Sequence, residues 1–412
     1  MSDLKASVSE TKTSSGHVGF HVEGYEKIEY DFTFIDGVFN VDNPNLADCY
    51  KKWGRVLAVT DLNIYNVYGK QMEKYFQHYD LELKIHKTKI GEKAKTMPTL
   101  LSIVDSMNEF GIYRKAPIHT FLDFTFLKTL PTAQIRNGFA ELIKISTCSH
   151  LDTFNLLDKY CEQLIDQSFG RAEGSPKELI DAADRINREG IHEMLKLETP
   201  NLHEIGLDRV IAYGHTWSPL HELVPETPLR HGHAISIDMA YSATLANQRK
   251  LISDEEHRRL LNLFSRAGLS MDHHQFDEEI LAKATAAILK TRDVPNPIGS
   301  CTFLNDVTAE EMNEALRRHK QLMKEYPRNG EGLEAYVDSS DTGYTENAKM
   351  EEEKIIENAA KKAGQLNGSN GHVNGTTNGV HKTSAKTNGH VNGNGALSNG
   401  TSGNAAKVNG NA

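Results

Sequence analysis

Apolar and polar positions follow two different patterns along this chain, and the change falls near residue 129. Before that point RVLAVTD, from Arg55 to Asp61, is an apolar run that ends in an acid, which predicts a buried parallel strand. TMPTLLSIVDSMNEFG, from Thr96 to Gly111, carries apolar residues at helical spacing. After about Thr129 the spacing is helical, most clearly in Pro176–Glu198 and Ser253–Gly268. The pattern predicts an N-terminal α/β domain followed by a helical domain.

Two of the predicted helices begin with residues typical of a capping box. Ser253 is followed three residues later by Glu256, and Thr308 is followed in the same way by Glu311. In a capping box the hydroxyl and the carboxylate each accept a hydrogen bond from the other residue's backbone N–H. We therefore predict helix starts at both places.

Both ends of the chain are polar and poor in large apolar side chains. Residues 1 to about 18 are rich in Ser, Thr and Lys, and the last part of the chain repeats an Asn-Gly-His-Val-Asn-Gly unit. Such segments cannot bury enough apolar surface to offset the entropy lost on ordering. We predict a disordered lead over residues 1–18, an α/β domain over 19–128, a helical domain over 129–337 and a disordered tail over 338–412.

Composition narrows the classes of function. The 412 residues are 38% apolar and 25% charged, which is enough for two domains with their own cores. A net charge of −10 without a basic stripe argues against nucleic acid as a partner. The four cysteines form no C-x-x-C pair, the first residues lack the apolar core of a signal peptide, and no stretch resembles a membrane span. We expect reduced thiols and a cytoplasmic protein with no membrane partner.

Three separate segments carry residue types that suit a divalent metal: NGFAELIK (137–144), YGHTWSP (213–219) and RHGHA (230–234). Glu141, His215 and His231 would supply one carboxylate and two imidazoles, and three protein ligands leave a coordination position open for substrate. Lys144 follows Glu141 at helical spacing on the same face. Taken alone, the Glu–Lys spacing also suits a solvated surface pair, and each histidine also suits a hydrogen-bonded structural role.

The three segments resemble the metal-binding segments of the sugar phosphate cyclases, the superfamily typified by dehydroquinate synthase. In that family the Glu of a G-x-A-E-x-I/V-K helix and the His of G-H-T and of H-G-E/H bind the metal, which here implies Glu141, His215 and His231 as ligands of Zn²⁺ or Co²⁺. The resemblance also implies a Rossmann-like α/β nucleotide domain and an all-α metal-binding domain.

The same resemblance suggests three residues with catalytic roles, namely Asn137, Lys144 and His233. Lys144 could stabilise negative charge on substrate or bind its phosphate. His233 stands where dehydroquinate synthases carry Glu, and a structural or supporting role beside the ligands is its alternative.

Further segments resemble the branch of the family that forms demethyl-4-deoxygadusol from sedoheptulose 7-phosphate, among them PNPIGSCTFLND and YPRNGEG. The branch that forms 2-epi-5-epi-valiolone shares GHTWSP and stays an alternative, and 3-dehydroquinate synthase is a further one. Where dehydroquinate synthases carry Arg, Asn and His near the first metal histidine, this chain has Asp208, Ala212 and Pro219. The loss of these partners for a carboxylate favours a substrate whose sugar carries no carboxylate, such as a heptulose phosphate. We expect a homodimer with a small-molecule partner.

The resemblance implies NAD as a second cofactor. Asp61 and Asn63 match the family's Asp-x-Asn, GEKAKT puts Glu92 and Lys95 on the nucleotide, and FLKT puts Thr129 there. By itself, a strand-end Asp also suits a helix cap. The family uses the bound NAD⁺ as a temporary oxidant, after which phosphate leaves by β-elimination and an intramolecular aldol reaction closes a carbocycle.

The Gly-rich phosphate turn of a dinucleotide site is missing from the globular part of this chain. In the family that turn and several substrate-handling residues lie between a GIYRK-like helix and an FLDF-like strand. Here GIYRK, ending at Lys115, runs directly into APIHTFLDF, starting at Ala116. A second, smaller gap falls between Asp293 and Val294, where the family has a short basic hairpin. We expect this deletion to weaken NAD binding and turnover, and a catalytically inactive cyclase-like protein is the alternative function.

Overall fold

The computed structural model describes residues 5–12, 14–25, 28–88, 94–112, 119–203, 210–287, 292–326 and 334–338. All of them belong to one of the chain's two units, Met1–Ile355. The predicted tail falls outside the described residues except for its first residue, Asp338.

The first described element is an antiparallel hairpin of β1 (Lys5–Lys12) and β2 (Val18–Tyr25). Part of the lead that the composition predicts to be disordered is therefore a strand. Val18, Phe20 and Val22 alternate with smaller or polar residues, which suits one face of a strand, and Val8 pairs with Val22. These four side chains are exposed to solvent.

The nucleotide half contains seven further described strands and helices, with a small core of its own around Val56, Met72 and Tyr75. In chain order they are β3 (Asp31–Phe34), α1 (Asn45–Asp48), β4 (Arg55–Asp61), α2 (Leu62–His78), β5 (Glu82–Thr88), α3 (Met97–Phe110) and β6 (His119–Leu122). The pairs β4–β5 and β3–β6 are parallel, and the described residues do not join them into one sheet.

The strand predicted from Arg55 to Asp61 is confirmed, but its burial is not. Val56 is buried, whereas Val59 is exposed. The physical reason is that β4 has a single described neighbour, β5, so part of its surface lacks the cover that a central strand receives. The helix predicted within Thr96–Gly111 is confirmed as α3, which Thr96 caps and Gly111 ends at φ +80°.

The helical half follows a 3₁₀ helix at Phe124–Thr129. Its described α-helices are α4 (Thr132–Ser149), α5 (Leu151–Asp166), α6 (Lys177–Glu198), α7 (Ser218–His221), α8 (His231–Gln248), α9 (Asp254–Arg266), α10 (Glu278–Ala287) and α11 (Ala309–Leu322). Short 3₁₀ helices lie at Thr199–Asn201, Val210–Ala212 and Met323–Glu325. Every residue of α8 from Gly232 to Asn247 is buried, so this helix forms the centre of the larger core.

The sequence predicts that this half is entirely helical, but β7 (Arg292–Pro295) and β8 (Cys301–Leu304) form an antiparallel pair. The turn between them contains Gly299 at φ +97°, a conformation that glycine adopts without strain. β7 runs across Asp293–Val294, where the sequence predicts the smaller gap. The chain therefore keeps a short hairpin at this joint.

The two predicted capping boxes differ in the structure. At α9 both hydrogen bonds are present, from Ser253 N to Glu256 Oε2 (2.9 Å) and from Glu256 N to Ser253 Oγ (3.1 Å). At α11 Thr308 caps the helix, but the Glu311 carboxylate binds the Arg249 guanidinium at 2.6 and 2.7 Å. The second box is incomplete because a bidentate, charge-assisted pair is stronger than a bond to a neutral N–H.

None of the helices among the described residues combines the length and the apolar character that a membrane crossing requires.

Candidate metal centre

Three side chains from different elements meet where α4, α8 and the segment before α7 come together. Glu141 lies in the middle of α4, His215 lies two residues before Trp217, the N-cap of α7, and His231 is the first residue of α8. One ligand atom from each lies within 4.8 Å of the others, and all three side chains are partly buried. The structure thus brings together the residues that the resemblance implies as ligands. Their role as ligands stays a prediction.

Glu141 is held between two positively charged or protonatable partners. Its Oε2 lies 2.7 Å from Lys144 Nζ, and its Oε1 lies 3.0 Å from His231 Nε2. Burial raises the pKa of Glu141, but the hydrogen bond with His231 and the charge of Lys144 outweigh burial and lower the pKa to about 2. The carboxylate is therefore ionised at neutral pH, as a metal ligand must be.

In both histidines Nδ1 contacts an oxygen of the surrounding protein, which leaves Nε2 for a metal ion. The Nδ1 of His215 donates to the Tyr213 carbonyl oxygen at 3.3 Å, since a carbonyl can only accept. The Nδ1 of His231 lies 3.1 Å from Glu222 Oε2. Two imidazole nitrogens and one carboxylate are a donor set that suits Zn²⁺ or Co²⁺.

The two imidazoles have opposite electrostatic surroundings. Burial and the charge of Lys144 lower the pKa of His215 to about 4. Hydrogen bonds with Glu141 and Glu222 raise the pKa of His231 to about 9 despite its burial. A positive charge at His231 Nε2 is thus favoured, and a divalent cation would satisfy the same carboxylate.

A buried acid on α8 fixes the segment that carries His215. Asp238 Oδ2 accepts hydrogen bonds from the backbone N–H groups of Trp217 (2.6 Å) and Ser218 (2.9 Å). Burial raises the pKa of Asp238 to about 6, against the opposing effect of these bonds. Gly214 in the same segment adopts φ +78°, and an added Cβ would meet Met239 Cγ at 2.9 Å. Sequence reasoning missed Asp238, although an acid within the apolar α8 segment could have indicated a buried anchor.

The contact between α4 and α8 is unusually close beside His231. Asn137 Oδ1 accepts a hydrogen bond from Gly232 N at 3.0 Å, and a Cβ added to Gly232 would lie 2.6 Å from the Asn137 Cα. Asn137 Nδ2 donates to Gln134 Oε1 at 2.8 Å. The side chain of Asn137 therefore positions the start of α8, and its contact with substrate stays a prediction.

Lys144 and His233 differ in how they face the centre. Lys144 is buried and its ammonium contacts Glu141, so it lies at the centre itself. His233 is fully buried, and its Nδ1 accepts from Ser270 N at 3.1 Å and lies 2.9 Å from Ser270 Oγ. This favours the structural alternative for His233, while its catalytic role is untested.

The residues predicted to contact NAD lie in the nucleotide half. Asp61 caps α2 through Ile64 N (2.9 Å), and Asn63 lies in the first turn of that helix. Lys95 precedes α3, and Thr129 ends the 3₁₀ helix, with its hydroxyl 2.5 Å from Tyr68 Oη. Glu92 lies outside the described residues.

A cavity of about 470 Å³ opens beside Thr129. Phe39, Tyr68, Phe126 and Lys128 line it, whereas Asp61, Asn63 and Lys95 do not. The structure therefore does not gather the predicted NAD contacts into one pocket among the described residues. The two imidazoles and the carboxylate suit Zn²⁺ or Co²⁺ as ligands. The described residues of the nucleotide half, in contrast, include no Gly-rich turn that could bind the pyrophosphate of NAD.

The chain is similar to known proteins in both sequence and fold. The family described as 3-dehydroquinate synthase C-terminal matches residues 138–291. The chain is 41% identical to demethyl-4-deoxygadusol synthase of Trichormus variabilis, over 80% of this chain and 97% of that protein. It is 27% identical to 2-epi-5-epi-valiolone synthase of Streptomyces hygroscopicus subsp. jinggangensis, over 74% of this chain and 90% of that protein.

Solved structures show the same fold. A 2-epi-5-epi-valiolone synthase of Streptomyces hygroscopicus with NAD⁺ and Zn²⁺ bound aligns with a TM-score of 0.66 at 26% identity, covering 73% of this chain and 99% of that chain. A 2-deoxy-scyllo-inosose synthase complexed with carbaglucose-6-phosphate, NAD⁺ and Co²⁺ aligns with a TM-score of 0.54 at 15% identity, covering 76% and 99%. The predicted dehydroquinate synthase-like fold is confirmed.

One of these alignments also bears on the predicted deletion. The alignment with the Trichormus variabilis protein has 398 positions but uses only 80% of the 412 residues of this chain. Several tens of positions in that relative therefore have no counterpart here.

Proposed function

This chain belongs to the sugar phosphate cyclases, the family of dehydroquinate synthase, and we propose that it derives from an enzyme that converts sedoheptulose 7-phosphate to demethyl-4-deoxygadusol with loss of phosphate. The observation that carries the proposal is the meeting of Glu141, His215 and His231 beside the buried Lys144. The name of the 41% identical relative supports the choice of product, and the resemblance of this chain to that branch of the family suggests the substrate. The reaction class is a carbon–oxygen lyase acting on a phosphate ester.

The charges of the site suit this chemistry. A divalent ion held by these three side chains would polarise substrate oxygens on which negative charge develops. Lys144 supplies a second positive charge 2.7 Å from Glu141, inside a buried region where electrostatic interactions are strong. Its remaining N–H groups can donate to an alkoxide, an enolate or the departing phosphate.

The surroundings of His215 favour a sugar phosphate without a carboxylate over a substrate that carries one. Ala212 lies in the 3₁₀ helix before His215, and Pro219 lies in α7 after it, so neither position offers a side-chain donor. Asp208, the third departure from dehydroquinate synthases, lies outside the described residues. The 2-epi-5-epi-valiolone synthases, at 27% identity, remain the second candidate because they share the GHTWSP segment by resemblance.

We place the missing segment between Lys115 and Ala116, a joint outside the described residues. Exposed apolar side chains in the nucleotide half support this placement, since Val59 on β4 and Leu100 and Leu101 on α3 are 44%, 51% and 53% exposed. Apolar side chains at such positions are normally covered by neighbouring strands and helices. This chain should therefore keep the metal centre and lack efficient turnover, because the Gly-rich turn for the pyrophosphate is missing.

Two proteins test this function. One is the chain itself, and the other carries the corresponding segment of the Trichormus variabilis relative between Lys115 and Ala116. Each is incubated with sedoheptulose 7-phosphate, NAD⁺ and Zn²⁺ while phosphate release and ultraviolet absorbance are followed. The restored protein should release phosphate and form an absorbing cyclohexenone, and the chain without the added segment should release little.

The possible products separate the alternatives. A non-absorbing cyclitol ketone from the restored protein would indicate the valiolone-forming branch. Turnover of the shikimate-pathway precursor alone would refute both sedoheptulose reactions. Robust turnover by the chain without the added segment would refute the interpretation of the deletion. A restored protein carrying His215→Ala is the control, and it should release no phosphate above background.

A further inference from the structure

Glu222 lies beside the metal centre without belonging to the three-residue set. It follows α7 directly, and its carboxylate Oε2 is 3.1 Å from His231 Nδ1. Its side chain is only 9% exposed. None of the segments that suggest metal binding in the sequence contains it.

The backbone of Glu222 is fixed on both sides. Its N–H donates to the Ser218 carbonyl at 2.9 Å, and its carbonyl accepts from Leu229 N at 3.0 Å. The second bond closes the turn that leads directly into Arg230 and His231. The carboxylate is therefore held in place by the same turn that delivers the imidazole.

The contact determines which nitrogen of His231 faces the metal. An ionised carboxylate can only accept, so its presence at Nδ1 requires the hydrogen to be on Nδ1. The opposite nitrogen, Nε2, lies 3.0 Å from Glu141 Oε1 and is left for the cation. A carboxylate on the far side of a ligating imidazole also increases the basicity of the nitrogen that binds the metal.

Two other roles for Glu222 agree less well with the geometry. As a fourth ligand it would have to reach the Nε2 side of the ring, but it contacts Nδ1, on the other side. A solvated surface pair would be exposed, whereas this carboxylate is buried. His215 has a weaker partner, the Tyr213 carbonyl at 3.3 Å, so the acid acts on one of the two histidines.

We infer that Glu222 is a positioning residue of the metal centre, which holds His231 in the Nδ1–H tautomer and in the orientation that directs Nε2 at the cation. This inference rests on the proposed function, since it takes His231 as a ligand. It concerns metal affinity and coordination geometry, and it does not require that the chain turn over substrate.

The test is Co²⁺ binding to the purified full chain. Affinity is measured by competition with a chromophoric chelator, and coordination is followed by the visible absorption bands of bound Co²⁺. Glu222→Ala should lower the affinity by about 10–100-fold and alter the bands, because the ring loses its partner. Glu222→Gln should lose less and keep the bands close to wild type, because its amide oxygen still accepts from Nδ1–H.

Glu226→Ala is the matched control. Glu226 lies in the same connecting segment and is exposed, so its replacement removes the same charge without removing the partner of His231. Affinity and bands should stay at wild-type values. A similar loss in the Glu226 and Glu222 variants would show that net charge alone is responsible, and it would overturn the inference.

The remaining outcomes are also decisive. Unchanged affinity and bands in both Glu222 variants would overturn the inference. If circular dichroism shows that Glu222→Ala does not fold, the test rests on Glu222→Gln. A Co²⁺ affinity of Glu222→Gln equal to that of Glu226→Ala would then overturn the inference. Failure of the wild-type chain to bind Co²⁺ would overturn the metal centre as a whole. Failure of the restored protein to release phosphate would remove the proposed reaction and leave the role of Glu222 intact.

Discussion

The close contact between α4 and α8 makes Gly232 the position where the smallest substitution should have a large effect. A methyl group at Gly232 would lie 2.6 Å from the Asn137 Cα and 2.7 Å from its Oδ1. Ordinary contacts between carbon atoms are about 3.5–4.0 Å, so the two helices would have to separate by roughly 1 Å. The obstacle includes backbone, and no side-chain rotation can relieve it. We therefore expect Gly232→Ala to destabilise the protein.

Two opposing terms set the magnitude. Overpacking in a core costs about 1–3 kcal/mol of unfolding free energy. Replacing glycine by alanine in a helix returns about 1 kcal/mol where the new methyl group fits. Because the contact involves backbone atoms, we expect an overpacking cost near the upper end, about 3 kcal/mol. Subtracting the helix gain of about 1 kcal/mol leaves a net loss of about 2 kcal/mol of unfolding free energy. That loss corresponds to a decrease of roughly 4–8 °C in Tm for a domain of this kind.

Metal binding should respond as well, because Gly232 follows His231 directly. Metal–ligand distances are tolerated within only about 0.2 Å. A separation of the helices by roughly 1 Å would move His231 Nε2 away from Glu141, and we expect Zn²⁺ affinity to fall at least about 10-fold.

Gly138→Ala is the control on the other helix. Gly138 is exposed within α4, and a Cβ added there meets nothing within 4 Å. The same substitution should therefore raise the unfolding free energy by about 0.5–1 kcal/mol. Thermal unfolding of the metal-free proteins and chelator competition for Zn²⁺ measure the two effects. The reasoning is refuted if Gly232→Ala unfolds at or above the wild-type temperature and keeps wild-type affinity.

Two further predictions concern buried titratable groups. Burial, aided by the charge of Arg318, lowers the pKa of His257 to about 4, so the unfolded chain binds its proton more tightly and stability is lost as pH falls from about 6.5 towards 4. This single group should lower the unfolding free energy by about 2 kcal/mol between pH 7 and pH 5. When that free energy is measured by urea unfolding at several pH values, His257→Gln should reduce its pH dependence by this amount, whereas His78→Gln, at an exposed position, should not. An unchanged pH dependence in His257→Gln would contradict the assignment. Burial raises the pKa of Cys161 to about 12, whereas a hydrogen bond with Cys148 lowers the pKa of the partly exposed Cys301. Alkylation of the native protein near pH 7.5, read by peptide mass spectrometry, should therefore modify Cys301 well before Cys161, and equal rates would contradict the structure.

The ligand candidates could be predicted from the sequence because each lies in a short motif. The residue types and spacing of three segments suit a metal, and they contain Glu141, His215 and His231. The resemblance to a family then identified these three residues as one set of ligands. Spacing alone left solvated and structural alternatives open. What the motifs did not contain were the two acids that hold the histidines, Glu222 and Asp238. Their roles depend on contacts across the fold, at 3.1 Å to His231 and at 2.6 Å to Trp217 N, which no local pattern contains.

Local structure was predictable where one local force dominates. The helix from Met97 follows from its Thr96 cap and apolar spacing, and α9 follows from its complete capping box. The Thr308 box failed because Arg249, distant in sequence, takes the Glu311 carboxylate. The burial of β4 was overestimated because burial depends on how many strands surround it, and the described residues give it one neighbour.

The zinc content of the full chain after dialysis is the most direct measurement of the central claim, that Glu141, His215 and His231 form the metal centre. Wild type and the single variants Glu141→Ala, His215→Ala and His231→Ala are dialysed against metal-free buffer at neutral pH. The account predicts about one tightly bound Zn²⁺ per wild-type chain and almost none in each variant, with affinity decreasing as pH falls, because the imidazoles must lose protons to bind. Full zinc retention in all three variants would contradict the account and leave the enzyme assignment resting on family membership alone.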